Sequence, residues 1–442
     1  MKVAHISPGA AGMLCGSCIH NNTLARALIR QGYDVTLIPI YTPIRTDEDN
    51  VSIDRVFYGA VNAYLQHASP LFRHTPRFLH WLLDRPRLLS YVSKIGASRE
   101  GNALGPMTLS LIQGEHGPQK QELETLVAWL RDELRPDVVH LTLSLFLGFA
   151  RRIKEELGGV PIVCELQGED IFFNDIAEPF RTRILDVMRT TADDVDVFMA
   201  PNDYYVDLMH RECGFPTDKV EVVPLGIDAT PFRPRDERDD DEVVIGFFAR
   251  VCREKGLHHL VDAFRILAGE PGGERLRLRV GGYLKELDRP YLEEQQRRVA
   301  EWGLADRFEH VGEVDRQGKV DFMAGLDVFA LPTVYKDPKG LSVIEALASG
   351  VPVVLPAHGG FPELVASTGG GVLVEPESPQ ALASALRRLI GDPAHRRSLG
   401  RAGREGVLAR RTDDAMARAT AGLYERLLRP ESQLAEKLAV AG

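Results

Sequence analysis

Short runs rich in valine and isoleucine alternate with longer amphipathic stretches along almost the whole chain, and this alternation narrows the possible folds most. Strands buried on both faces read as near-continuous apolar runs, and joining them in parallel requires a crossover of a dozen or more residues. VAHIS, a glycine-rich loop, the amphipathic TLARALIRQG with its glycine stop, and YDVTLIPIY form one βαβ unit within the first forty residues. PDVVHLTL, VPIVCELQ and VDVFMAPN continue the series, with helical sequence such as GFARRIKEELGG among them.

The same pattern starts again after VEVVPLGIDATPFRPRDERDDDE, a stretch whose glycine, prolines and acidic run suit an interdomain connection. EVVIGFFAR, LRLRVGG, FEHVGEV, LDVFALPT, VPVVLP and GGVLVEP read as its strands, and from QALASALRRLI onward the chain reads as mostly helical. At 442 residues the chain is too long for one core, so two doubly wound α/β domains with helical closure are expected. The boundaries are placed at residues 1–223 for the N-terminal domain and 224–410 for the C-terminal one. A helical segment, 411–442, is expected to cross back to the N-terminal domain. Between about residues 60 and 100 the alternation breaks. SPLFRHTPRFLHWLLDRPRLLSYVSK, with Pro76 and Pro86, reads as short inserted helices. Its basic and aromatic character suits an acceptor-side lid or a packed insert with snorkelling arginines, and contact with a membrane surface is the alternative.

Charge and cysteine usage exclude other classes. A net charge of -10 argues against a dedicated nucleic-acid binder. No run of 18 apolar residues occurs, and no export signal is visible at the N-terminus. With five cysteines and no such signal, a cytoplasmic protein is expected. Cys15 and Cys18, in GAAGMLCGSC, have no second pair nearby. A zinc quartet would have to recruit His210 and Cys213 from HREC, so the stretch is read as a glycine loop rather than a metal or redox motif. The acidic run Asp239–Asp241 precedes a strand instead of ending one and is read as solvated linker.

Two stretches of the second half carry chemistry. In FFARVCREKGL, Arg250 and Lys255 flank a turn at a strand end, where two cations can grip a diphosphate. Alone the pair assigns nothing, since loop cations are usually solvated. In YKDPKGLSVIEALASGVPVV a helix is expected to start near Leu341, its free amides facing an anion, with Glu345 in its first turn and Asp337 on the approach loop. Carboxylates accept hydrogen bonds from sugar hydroxyls, so one acid can hold a ribose and the other a hexose. Either acid alone reads equally as a favourable charge near a helix start.

Taken in order, these stretches resemble glycosyltransferase family 4, retaining enzymes of the GT-B fold with two Rossmann-like domains facing a cleft. The resemblance runs from the opening glycine loop and LARALIRQGYDVTL through VVPLGIDATPFRP, FARVCREKGL and HVGEVDRQGKVDFMAGLDVFALPT. It ends in DPKGLSVIEALASGVPVV, which resembles the E-x7-E motif, and GGFPELV. It implies transfer of a hexosyl group from a nucleoside-diphosphate sugar to a glycan, lipid-linked or small-molecule hydroxyl, with no metal and no other cofactor. Arg250 and Lys255 would bind the diphosphate, Glu345 the ribose and Asp337 the transferred sugar. Gly340 and Leu341 would present amides, Gly281 and Gly282 would let the nucleotide approach the backbone, and Gly312 and Val314 would line the base. Gly12 and Gly16 would lie on a loop near the β-phosphate and acceptor. The rivals are an epimerase of the same fold and a non-catalytic nucleotide- or glycan-binding relative.

Two positions depart from the pattern. The first acid of the motif is Asp337, one methylene shorter than glutamate. In VCELQGEDIFF, Gln167 stands where the family often has histidine. A glutamine can donate to a sugar oxygen but takes no proton at neutral pH, which suits a retaining mechanism without a protein base. Nearby Glu169 and Asp170 read either as further carboxylates of the site or as caps of the next helix.

Overall fold

The computed structural model describes residues 1–10, 13, 15–59, 100–234 and 242–429. The expected helical insert, the acidic run Asp239–Asp241 and Gly12 lie outside them. Two compact units are present, one holding Met1–Val223 and the chain from Met416 onward, the other Pro224–Ala415. Each is built on a six-stranded, fully parallel sheet, the Rossmann-like architecture of the GT-B class.

In the first unit β1 (Lys2–Pro8), β2 (Asp34–Ile40), β3 (Val138–Leu141), β4 (Ile162–Glu165), β5 (Val197–Ala200) and β6 (Val220–Val222) lie in the order β2-β1-β3-β4-β5-β6. Side chains alternate across the sheet. Ala4, Ile6, Val139, Leu141, Phe198 and Ala200 join one core layer, and Val3, Val138, Val163 and Met199 the other. The second layer is covered by the helix Gly16–Arg30 through Leu24, Ala25 and Leu28. The helix Asp413–Leu428 covers it through Met416, Ala417, Ala421 and Tyr424.

In the second unit β7 (Val243–Phe248), β8 (Leu276–Gly281), β9 (Phe308–Gly312), β10 (Val328–Ala330), β11 (Val353–Pro356) and β12 (Gly371–Val374) lie in the order β12-β11-β10-β7-β8-β9. A single core layer system joins this sheet to the helices Leu257–Ala268, Leu341–Ala348 and Pro379–Gly391. Local chemistry sets the helix ends. Ser378 accepts the Ala381 amide at 3.2 Å ahead of Pro379, and Asp392 caps the next helix by accepting from His395 at 2.9 Å. Among the described residues no helix is long and apolar enough to cross a membrane.

The strand orders locate where a ligand can enter. Each sheet reverses direction of growth beside its first strand, between β1 and β3 in one unit and between β7 and β10 in the other. At such a switch point the connections leave in opposite directions, and a crevice opens beyond the carboxyl ends of the two strands.

Candidate active site

The loops after β7 and β10 meet at the switch point of the second unit. The Val334 amide donates to the Glu254 carbonyl at 2.9 Å. A side chain at Gly256 would place its first carbon 1.7 Å from the Pro332 carbonyl oxygen, so only glycine lets the two loops close together. Lys255 thereby reaches across. Its Nζ lies 2.7 Å from Asp337 Oδ2 and also donates to the Tyr335 hydroxyl, which in turn donates to the same carboxylate oxygen at 2.7 Å. The lysine side chain is 19% exposed and the aspartate 6%, so the charge faces outward from a buried partner.

Asp337 organises the loop as well. Its Oδ1 accepts from the Lys339 amide at 2.9 Å and the Gly340 amide at 3.3 Å, and its carbonyl accepts from Gly360 at 2.9 Å. Gly340 is the N-cap of the helix Leu341–Ala348, so the carboxylate fixes the approach to a helix tip whose first amides have no partners within the helix. Burial raises the Asp337 carboxyl, but the neighbouring Lys255 charge and the hydrogen bonds outweigh it and hold the pKa at about 2. A folded-state value below the unfolded ~3.9 adds stability above that pH, on the order of 2 kcal/mol, lost as pH falls through about 2. Acid titration of the unfolding free energy is expected to show this loss between about pH 4 and 2, and Asp337→Asn is expected to lack it.

Arg250 follows β7 and is 41% exposed, with Nε 3.1 Å from Cys252 Sγ and a terminal nitrogen 3.6 Å from Glu254. Gly281, Gly282 and Gly312 gather at the adjoining ends of β8 and β9: the Gly282 amide donates to the Gly312 carbonyl at 2.9 Å, and Ala249 donates to Gly281 at 3.2 Å. Gly282 has φ +121°, and a Cβ there would sit 2.0 Å from the Ala249 carbonyl oxygen. Gly282→Ala is therefore expected to cost at least about 2 kcal/mol, read as a lowered denaturant midpoint. Val314 and Leu341 are half-buried, beside Gly312 and Gly340 respectively.

Glu345 falls one residue beyond the first turn of its helix, a correction to the sequence expectation. Its carboxylate forms an ion pair at 2.5 Å with Lys319, from the helix Arg316–Ala324, and both side chains are 7% exposed. Sequence reasoning missed Lys319 and Tyr335. The lysine carried a signal, because Lys319 and Met323 stand four apart on one helix face and Val320 and Met323 are core residues.

In the first unit Gly16 is not a loop residue: it opens the helix Gly16–Arg30, seven residues earlier than the amphipathic pattern suggests, with Cys15 at the cap. Gln167 is buried, and its Nε2 donates to Asn21 Oδ1 at 2.6 Å. Asn21 in turn donates to Ser7 at 2.7 Å and Thr142 at 3.0 Å, tying β1, β3 and the helix together. Glu169 serves the framework. Its oxygens accept from the Ser144 amide at 2.9 Å, the Gln167 amide at 2.7 Å and the Tyr205 hydroxyl at 3.0 Å. Asp170 accepts from the same hydroxyl at 3.0 Å.

Comparison with known families gives this geometry a context. The family profile "Glycosyl transferases group 1" matches residues 228–406, and "Glycosyl transferase 4-like domain" matches residues 19–226. The chain belongs to glycosyltransferase family 4. A 2-deoxystreptamine glucosyltransferase of Streptomyces kanamyceticus is 34% identical to this glycosyltransferase family 4 chain over 192 residues, 42% of the chain and 46% of the relative. The chain spans about half the length of the curated relatives it matches first. Among solved structures, the sucrose-phosphate synthase of Thermosynechococcus elongatus superposes with a TM-score of 0.69 at 21% identity. It covers 97% of this family 4 chain and 99% of its own. HepE of Anabaena, crystallised with UDP, gives 0.68 at 16% identity over 96% and 100%. At these identities the likeness is one of fold, and it bears out the expected GT-B class.

Proposed function

We propose that the chain is a retaining glycosyltransferase, moving a hexosyl group from a nucleoside-diphosphate sugar to a hydroxyl of a glycan, lipid-linked or small-molecule acceptor. The observation that carries this reading is the meeting of Lys255, Asp337 and the tip of the helix Leu341–Ala348 at the switch point of the second unit. Cations and oriented amides at a strand-end crevice suit a diphosphate. The family match and the UDP held by HepE, a protein of the same fold, agree with that ligand class.

In the proposed reaction Arg250 and Lys255 stabilise the two phosphates while the bond between the anomeric carbon and the diphosphate oxygen breaks. Its electron pair leaves with the diphosphate. The acceptor oxygen bonds to the anomeric carbon on the same face, and its proton passes to the departing phosphate oxygen. No protein base is required, which suits the amide at Gln167. Lys255 is held ready by Asp337 and Tyr335, so little reorganisation accompanies charge development. Glu345 takes the ribose hydroxyls, with Lys319 as its resting partner. Asp337 serves the transferred sugar in this reading, and it acts first through Lys255 and the amides of Lys339 and Gly340. Gly281, Gly282, Gly312 and Val314 flank the nucleoside.

The test is incubation with UDP-, GDP- and ADP-hexoses and candidate acceptors, following nucleotide release and the anomeric proton of the product by NMR. Transfer with retained configuration is expected for one donor. Interconversion of donor sugars without an acceptor, or an inverted product, would contradict the reading.

A further inference from the structure

We propose that Cys252 is a positioning residue of the diphosphate site, its thiol fixing the side chain of Arg250 ahead of ligand binding. The role rests on the diphosphate reading above and adds to it a residue that acts only through its neighbours. Arg250 follows β7 with its side chain 41% exposed. An unheld side chain of that length loses rotamer freedom when a ligand immobilises it, and the loss weakens binding.

Two contacts close Arg250 onto Cys252. Arg250 Nε donates to Cys252 Sγ at 3.1 Å, and the thiol donates back to the Arg250 carbonyl at 3.6 Å. The sulfur thus joins the head of the side chain to its own main chain. Cys252 is completely buried, and the adjoining Val251 amide is tied to the Tyr283 carbonyl at 2.9 Å, so the anchor is itself held. The Cys252 carbonyl accepts the Lys255 amide at 3.2 Å and opens the turn Arg253–Lys255. One residue therefore sets both cations, Arg250 through its sulfur and Lys255 through its carbonyl.

The chemistry of sulfur suits this task. Burial pushes the thiol pKa up against the pull of the Arg250 charge, so the group stays neutral. A neutral acceptor holds the guanidinium without cancelling the charge that a diphosphate needs, whereas a carboxylate in its place would compete with the ligand. With Nε engaged, the two terminal nitrogens are left for a phosphate in a two-pronged, end-on arrangement. One of them lies 3.6 Å from Glu254, but that carboxylate is 54% exposed, and exposed pairs of this kind hold weakly. Phosphate can replace Glu254 while the buried sulfur keeps its hold.

The experiment measures the affinity of the full chain for UDP, GDP and ADP by isothermal titration calorimetry, with an unfolding midpoint for each variant. Cys252→Ala is expected to weaken the best-bound nucleoside diphosphate by about 5- to 10-fold, the low end for a hydrogen bond to a charged group, as suits a weak sulfur acceptor. Cys252→Ser keeps a donor and an acceptor and should restore most of the affinity. Cys252→Val fills the space without hydrogen bonding and should not. In an Arg250→Ala background, Cys252→Ala should have no further effect, because nothing is left to position. Affinity unchanged in Cys252→Ala, restored by Cys252→Val rather than Cys252→Ser, or lost additively with Arg250→Ala would overturn the role and leave the diphosphate reading in place. Failure of the wild type to bind any of the three would remove that reading, and the role with it. If Cys252→Ala does not fold, the comparison of Cys252→Ser with Cys252→Val decides.

Discussion

Lys255→Ala is expected to lower turnover by about 10²- to 10³-fold while the protein stays folded, on the scale of losing one preorganised charge contact at a transition state. Lys255 is a strong candidate for so large an effect because its position is fixed before any ligand arrives. Asp337 and Tyr335 hold the ammonium from beneath, and the Gly256 turn brings it to the strand β10 side of the crevice. An arginine at this position would keep the charge but replace the compact ammonium held by Asp337 and Tyr335 with a longer planar fork, so Lys255→Arg should recover only part of the rate. Stopped-flow or steady-state kinetics with the preferred donor measures both variants. Turnover within a few-fold of wild type in Lys255→Ala would remove this residue from the chemistry.

The second large effect is one of stability. Lys319→Ala is expected to destabilise the second unit by about 3–5 kcal/mol, because it strands the Glu345 carboxylate in a buried site. The pair lies at 2.5 Å with both side chains almost fully covered. The double variant Lys319→Ala/Glu345→Ala should lose less than the sum of the two single changes, since no unpaired charge remains. Denaturant unfolding followed by far-UV circular dichroism reads the cycle. Additive losses would mean that the two groups do not depend on each other. Nucleotide affinity separates the roles further: Glu345→Ala should weaken binding through the ribose contact, beyond its effect on stability.

The frame of both units was legible because parallel strands buried on two faces have to be apolar throughout. VVIGFF and VVLP each became a strand where the apolar run stood, while LRLRVG became one by alternation, with Arg277 and Arg279 partly exposed. The start of the first helix was not legible, because Gly16, Ser17 and Cys18 are poor helix formers and nothing in their order shows that they form its first turn. In the site, Arg250, Lys255, Asp337 and Glu345 were visible as residue types at a spacing. Their partners were not. Asp337 read as a group reaching for sugar, whereas its oxygens engage Lys255, Tyr335 and two loop amides, contacts that depend on which loops the sheet order brings together. Gln167 read as a donor to substrate, and nothing in the sequence showed that its amide also donates to Asn21, 146 positions away. Pairings across such separations are set by topology, and no local pattern announces them.

The central claim is that the crevice between β7 and β10 receives a diphosphate. A crystal structure of the protein with a nucleoside diphosphate bound tests it most directly. The phosphate oxygens are expected within hydrogen-bond reach of Lys255 Nζ, the Arg250 guanidinium and the amides at Gly340 and Leu341, with Glu345 turned from Lys319 to the ribose. A diphosphate bound elsewhere, with the Lys255–Asp337 pair untouched, would contradict the account.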